Sequence, residues 1–344
     1  MAIAPVSVSH VARWDLDKTY LRTDFDTVRD LVRTAFERPD QKRTNPGAST
    51  LLREMVRSGI QVHILSGSPE QMRRRLEDKL RLDGVKWDSF TLKPNLQNLL
   101  RLRFRAVRDQ LGYKLPALLR ARATMEEGSA ETAICKETLF GDDAEADAYV
   151  YSLYADVASG RVDQDLLFRV LRGGRLYDDV IAQALSAARS IQHQEIVERI
   201  LIHLERQTPP GDFGLYGRRI VPFYNYLQAA FVLLEDARLS PDSVLRVAAE
   251  LVTEHRFDGD ALSRSYLDLA RRGHLRGTGI DLLEAAVDAV LGEHAPLPWA
   301  DDIRTMIARL PAMASIASDN WANLPQPLPD YLALVSVHNR RTRR

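Results

Sequence analysis

Cysteine is nearly absent from the sequence: Cys135 stands alone among 344 residues. A single thiol closes no internal disulfide, so a reducing compartment is the expectation. No apolar run approaches the roughly 18 residues that a membrane-spanning helix requires. The opening residues, MAIAPVSVSHVARWD, carry no charged start followed by a long apolar stretch. They do not read as a secretory signal, and a cytoplasmic protein is expected. An excess of one charge is missing too, since 47 lysines and arginines balance 47 aspartates and glutamates. That balance removes the global field with which a basic protein draws in nucleic acid, and no nucleic-acid partner is expected. The eight histidines form no HExxH, no second cysteine exists to make a pair, and no G-x-S-x-G occurs. These gaps argue against a zinc site and against a serine-hydrolase elbow.

What is present is ordinary globular material, 45% apolar and 27% charged, at a length that suggests two domains. In the first 160 residues, strand-like and helix-like segments alternate. Val6–Trp14 and Ile60–Leu65 read as strands, 89–92 as a short strand, and 132–140 as a segment ending in a strand. Between them, 24–36, 48–58, a stretch from Pro69 to about Arg81, 95–110 and Leu115 to about Glu127 read as helices, and 144–158 follows as another. Alternation of this kind implies βαβ units, a parallel sheet, and an active site at the carboxyl ends of the strands. After Gly160 the pattern changes. Residues 178–190, 194–206, 241–255 and 280–292 carry helical spacing, and an all-α C-terminal domain is expected over 161–344, after an α/β domain over 1–160.

Three segments at expected strand ends carry chemistry. In WDLDKT, Asp15 and Asp17 follow the first strand, and a spacing of two directs both carboxylates to one side. One can act as nucleophile and the other move a proton, and together they offer hard oxygen ligands for Mg²⁺. Two solvated loop aspartates are the plainer alternative. In VHILSGSP, Ser66 and the backbone of the turn at Gly67 follow the second strand, where a hydroxyl and N–H groups can hold phosphate oxygens or simply cap a helix. In LFGDDAEAD, Asp142, Asp143 and Asp147 lead from a strand into a helix. There they either complete a metal site begun by Asp15 or complement the helix dipole.

Taken together and in this order, strand–DxDxT, strand–Ser and strand–GDxxxxD resemble motifs I, II and IV of the haloacid dehalogenase-like phosphohydrolase superfamily. The stretch 45–80, with Pro46-Gly47 and the turn Leu65-Ser66-Gly67-Ser68-Pro69, is similar to the phosphatidate phosphatase catalytic domain of the actin-patch protein type. The sequence departs from that family at Glu70, where an aromatic residue is common, and at Asp143, where serine is common. The similarity covers about residues 8–160. It implies a Rossmannoid parallel sheet with flanking helices and a Mg²⁺-dependent phosphomonoester phosphatase that works through an aspartyl-phosphate. By that resemblance Asp15 is the nucleophile and Asp17 the proton carrier. Mg²⁺ is held by Asp15, Asp17 through its carbonyl, and Asp142, with Asp143 as a further candidate. Thr19, Ser66 and Gly67 fall to the phosphate. The steadying lysine is Lys114 by first choice and Lys93 by second; Lys136 lies toward the wrong end of its strand.

Two other features bear on partners. Between Arg73 and Arg122, fourteen lysines and arginines face five acids. That excess suits a phosphorylated small molecule or a phosphatidate-like lipid, with peripheral membrane contact, and it equally suits solvated helix faces. PPGDFGLYGRR, residues 209–219, combines glycines, aromatics and arginines, and either folds over the site or packs on its own aromatics. The rival to an enzyme is a catalytically silent core whose helical half is a protein-interaction module.

Overall fold

A computed structural model describes residues 10–22, 42–93, 107–127, 135–292, 297–320 and 326–341. The chain begins with β1 (His10–Trp14), α1 (Ala48–Arg57), β2 (Gln61–Pro69), α2 (Arg73–Leu82) and β3 (Ser89–Lys93). It continues through α3 (Val107–Glu127), β4 (Lys136–Asp142), α4 (Asp147–Ala158), α5 (Gln164–Gly173) and α6 (Asp178–Ser190). Two further strands follow, β5 (Val197–His203) and β6 (Ile220–Phe223). The rest is helical: α7 (Tyr226–Glu235), α8 (Pro241–His255), α9 (Gly259–Arg271), α10 (Ile280–Gly292), α11 (Ala300–Asn320) and α12 (Tyr331–Arg341). The protein is therefore α/β, with a six-stranded parallel sheet flanked by helices and a helical C-terminal region. Among the described residues no helix is long and apolar enough to cross a membrane.

The strands stand in the order β3-β2-β1-β4-β5-β6. The sheet grows outward from β1 through β2 and β3, then resumes on the other side of β1 with β4. A crevice opens where growth reverses, at the carboxyl ends of the two strands beside the reversal, here β1 and β4. Trp14 at the end of β1 is in register with Phe140 of β4.

Side-chain alternation feeds two apolar cores, one on each face. Trp14, Phe140, Leu201 and Phe223 join the core under α1 and α7–α11, while Leu139, Ile200, Ile202 and Ile220 join the core under α3–α6 and α12. Helix starts are fixed locally. Asp163, Asn225, Ser240 and Asp258 accept backbone N–H groups of Leu166, Gln228, Ser243 and Ala261, which would otherwise lack partners.

The expected boundary at residue 160 does not separate sheet from helices. β5 and β6 lie beyond it, and the expected helix over 194–206 is instead the strand Val197–His203, paired to β4 from Glu137↔Val197 to Asp142↔His203. The C-terminal half is thus not all-α. Pro69 ends β2 rather than opening a helix, and a short 3₁₀ turn at Glu70–Met72 precedes α2. The expected helix over 24–36, most of that over 95–110 and the first residues of the first strand lie outside the described residues.

Candidate functional site

The site is built on the reversal point. The Asp15 N–H donates to Phe140 O at 2.9 Å, which extends the β1–β4 ladder by one residue. Beneath it the Trp14 ring stacks on Phe140 with centroids 3.9 Å apart and on Tyr226 at 5.8 Å. The chain then makes one helical turn, in which the Tyr20 and Leu21 N–H groups donate to Leu16 O at 3.0 and 2.8 Å. Lys18 takes a left-handed conformation at φ 63° within it.

Groups distant in sequence hold that turn. The Asn45 Nδ2 amide donates to Lys18 O at 3.2 Å and to Thr19 O at 2.7 Å. His203 Nδ1, at the end of β5, meets Lys18 O at 3.3 Å, and the Tyr226 hydroxyl donates to Thr19 O at 2.5 Å. Backbone carbonyls buried here would otherwise be left without donors.

Lys114, on α3, brings its ammonium to the carboxyl end of β1 and is wholly buried. Its Nζ lies 2.9 Å from Asp15 Oδ1 and 3.2 Å from Glu145 Oε2, and it donates to Asp147 Oδ1 as well. Asp142, the last residue of β4, shapes the chain that brings these acids in. Its Oδ1 accepts the N–H groups of Ala144 at 2.6 Å and Glu145 at 2.9 Å. Its own N–H donates to Asp147 Oδ2 at 3.2 Å. Asp147 lies directly over Gly141, where an added Cβ would come within 2.6 Å of the Asp147 Cβ. The glycine of the LFGDDAEAD segment is thus a matter of close approach.

Asp17 belongs to a second group. The Ser66 and Ser68 hydroxyls both donate to its Oδ2, at 2.9 and 2.8 Å, and Ser66 Oγ accepts the Ser68 N–H at 3.0 Å. Thr19 Oγ1, on the same turn as Asp17, donates to Asp15 Oδ2 at 3.3 Å.

No family model, curated protein or solved structure matches this chain. What the site can do is therefore argued from its own geometry.

Burial dominates the electrostatics. It pushes the Asp15 carboxyl well above the usual range, helped by Asp147, Glu145 and Asp142 and opposed by Lys114. Asp142 is raised by burial and then by Glu145 and Asp147. Glu145 is pushed up to about 7, by burial first, with Lys114 pulling against it. Burial alone would lower Lys114, but Asp147 and Asp15 outweigh it and hold the ammonium charged. Four carboxylates, Asp15, Asp142, Glu145 and Asp147, thus share one buried lysine, an arrangement that favours uptake of a cation. One carboxylate oxygen from each of Asp15, Glu145 and Asp147 lies within 4.8 Å of the others, so together they could hold a metal ion. Asp142 Oδ2 beside them is buried and has no hydrogen-bond partner among the described residues.

Of the residues expected from sequence, Asp15, Thr19, Lys114 and Asp142 meet in one crevice, with Asp17, Ser66 and Gly67 beside them. Gly67 runs along β2, and a Cβ there would touch Gln110 Nε2 at 4.0 Å. Lys93 ends β3, two strands away from β1. Asp143 departs from the expectation. Its two carboxylate oxygens accept the N–H groups of Arg206 and Thr208, at 2.8 and 2.9 Å, so it shapes the chain after β5 rather than the acidic cluster. Glu145 lies outside the expected set, and Asp147 stands in it as one of two readings, metal site or helix dipole. The density of acids in GDDAEAD was the available signal, without an indication of which of them turn inward. Asn45, His203 and Tyr226 left no local signal.

Proposed function

We propose that this chain is a Mg²⁺-dependent phosphohydrolase of the haloacid dehalogenase-like type, cleaving phosphomonoesters through an aspartyl-phosphate on Asp15. The observation that carries the proposal is the buried Lys114 ammonium 2.9 Å from Asp15 Oδ1, where β1 and β4 end side by side. Phosphoryl transfer demands positioning and neutralisation of charge, and a cation fixed against a carboxylate in a water-poor crevice supplies both.

The donor set fits a hard divalent ion. Asp15, Glu145 and Asp147 offer carboxylate oxygens, and the unpartnered Asp142 Oδ2 lies in the same acidic group. Bound there, Mg²⁺ would offset the charge of the phosphate and of the surrounding acids.

The chain's own residues account for the remaining steps. Lys114 and the Thr19 hydroxyl fix the Asp15 carboxylate from either side, toward a phosphorus approached in line. A new bond forms from Asp15 oxygen to phosphorus as the bond to the leaving oxygen breaks, and Asp17 gives that oxygen a proton. Asp17 then takes a proton from water, whose oxygen displaces Asp15 from phosphorus. Ser66 and Ser68 hold Asp17 by Oδ2 alone, which leaves Oδ1 for this proton traffic. Ser66, Gly67 and Thr19 border the space for the phosphoryl oxygens. Within this reading a phosphatidate-like lipid is one substrate and soluble phosphomonoesters are others.

The test is release of phosphate from p-nitrophenyl phosphate with Mg²⁺, and its loss in Asp15→Asn. A folded protein that turns over nothing in a broad phosphomonoester panel would overturn the proposal. Binding to anionic vesicles that disappears at moderate salt would favour the lipid.

A further inference from the structure

The glycine-rich segment 209–219 has a place of its own. It forms a 3₁₀ turn, Pro210–Tyr216, which leads from the end of β5 back to the start of β6. Phe213 and Tyr216 anchor it in the core under α3–α6. With β6, the residues after α9 and Pro327, it lines a partly open cavity of about 540 Å³. Small-molecule pockets fall in the range of about 300–1,000 Å³. The walls include Phe213, Ile220, Pro210, Pro222 and Pro327. At Gly211 and Gly214 an added Cβ would meet nothing within 4 Å, so the turn leaves room where side chains would stand.

The cavity lies along the outer edge of the sheet, because β6 is the last strand. An extended peptide is a poor occupant. Pro222 has no N–H to offer, and its carbonyl already accepts from Arg272 Nη1 at 2.7 Å. Arg272 is held in turn by Asp268, so this cation is committed before any ligand arrives. His274 is different. It lines the cavity, and its imidazole makes no hydrogen bond to any described residue. Burial, then the charges of Arg272 and Arg199, hold it down to about 3. The ring is therefore neutral near pH 7 and offers one donor and one acceptor. Arg218 lines the cavity as well and already has a partner of its own. The remaining apolar faces with one neutral polar group suit a rigid ring, which loses less freedom on binding than a flexible chain.

We infer that this cavity is a second ligand site, apart from the acidic cluster, for an uncharged flat ring compound with one hydrogen-bonding group directed at His274. Three strand spacings, on the order of 14 Å, separate β6 from β1. A ligand here would not touch Asp15, and the inference stands whether or not the chain hydrolyses phosphate.

The probe is N-phenyl-1-naphthylamine, uncharged, with one N–H and a fluorescence that rises in apolar surroundings. Titration of the full chain is expected to saturate at one probe per chain, and Asp15→Asn is expected to bind it equally well. Gly214→Trp should abolish the signal, with Gly211→Leu as the alternative if that variant fails to fold. His274→Leu should weaken binding about fivefold, the loss of one neutral hydrogen bond. Absence of saturable binding, or undiminished binding in the folded glycine variants, would overturn the site. Displacement by 1-dodecanol at lower concentration than by 2-naphthol would overturn the assignment to a ring.

Discussion

Replacing Lys114 by methionine tests the acidic crevice directly, because it removes the shared ammonium and keeps a stem of similar bulk. Lys114, Asp147 and Asp142 are wholly buried, and Asp15 is 1% exposed, so water cannot screen the acids left behind. Deleting one partner of a buried ionic group costs about 3–5 kcal/mol. Unfolding entropy near 2.1 cal/mol/K per residue gives about 0.7 kcal/mol/K for a chain of this length that melts as one unit, so Tm should fall by about 4–7 °C.

The pH dependence has a definite sign. Asp15, Asp142 and Glu145 carry raised values in the folded protein, Glu145 up to about 7. Folding is favoured by their protonated forms. That contribution is complete below the unfolded carboxylate range, near pH 4, and is lost as pH rises through the folded values. Lys114 opposes the rise, and without it the three values climb further. The deficit of Lys114→Met should therefore grow from about pH 5 to about pH 8. Thermal unfolding followed by circular dichroism in a chelator, at both pH values, measures it. A variant that melts within about 1 °C of the parent near pH 8, or a deficit that shrinks toward alkaline pH, would refute a lysine buried among ionising acids.

Three further outcomes follow from the same geometry. Gly141→Ala should push Asp147 aside, destabilise the protein by about 1–3 kcal/mol and lower phosphate release, as read by urea unfolding and turnover together. Asp143→Ala should loosen the 206–208 turn, cost about 1–2 kcal/mol and leave the rise in Tm caused by Mg²⁺ intact, whereas Glu145→Gln should reduce that rise. An equal effect of the two would return Asp143 to the metal site. Tyr226→Phe removes one of two donors to Thr19 O, so it should cost about 1 kcal/mol and slow turnover several-fold. Unchanged turnover would show that the turn after β1 needs no second clamp.

Legibility in the sequence followed the range of the interaction. Asp15, Asp17 and Ser66 could be read because each sits within a few residues of a strand end that short patterns reveal, whereas Lys114 was reached only through the family resemblance, with Lys93 as its alternative. β5 could not be read. In 194–206 the apolar residues Ile196, Val197, Ile200, Leu201 and Leu204 satisfy helical spacing. Yet Ile200, Leu201 and Ile202 are all buried in a strand covered on both faces. Such a strand loses the alternation that identifies strands. Its charges reinforced the helical appearance, although Arg199 is paired with Asp236 and Glu198 with Arg238, both beyond the sheet. β6 is four residues long and contains Pro222, which argues against a strand except at an edge, where it lies.

The same misreading hid how the two halves depend on each other. With a boundary at 160 the turn after β1 would rest on residues before the boundary alone. In the fold, β4 is an interior strand only because β5 pairs along it, and the end of β5 delivers His203 to Lys18 O. The next helix but one strand, α7, delivers Tyr226 both to Thr19 O and to the Trp14 ring. Asp143, adjacent to the acidic cluster, is spent on the backbone that leaves β5. The turn that carries Asp15, Asp17 and Thr19 is therefore clamped from the C-terminal side. A change in how α7 packs reaches these residues through one hydrogen bond and one ring stack. This coupling gives the helical region a mechanical part in the site.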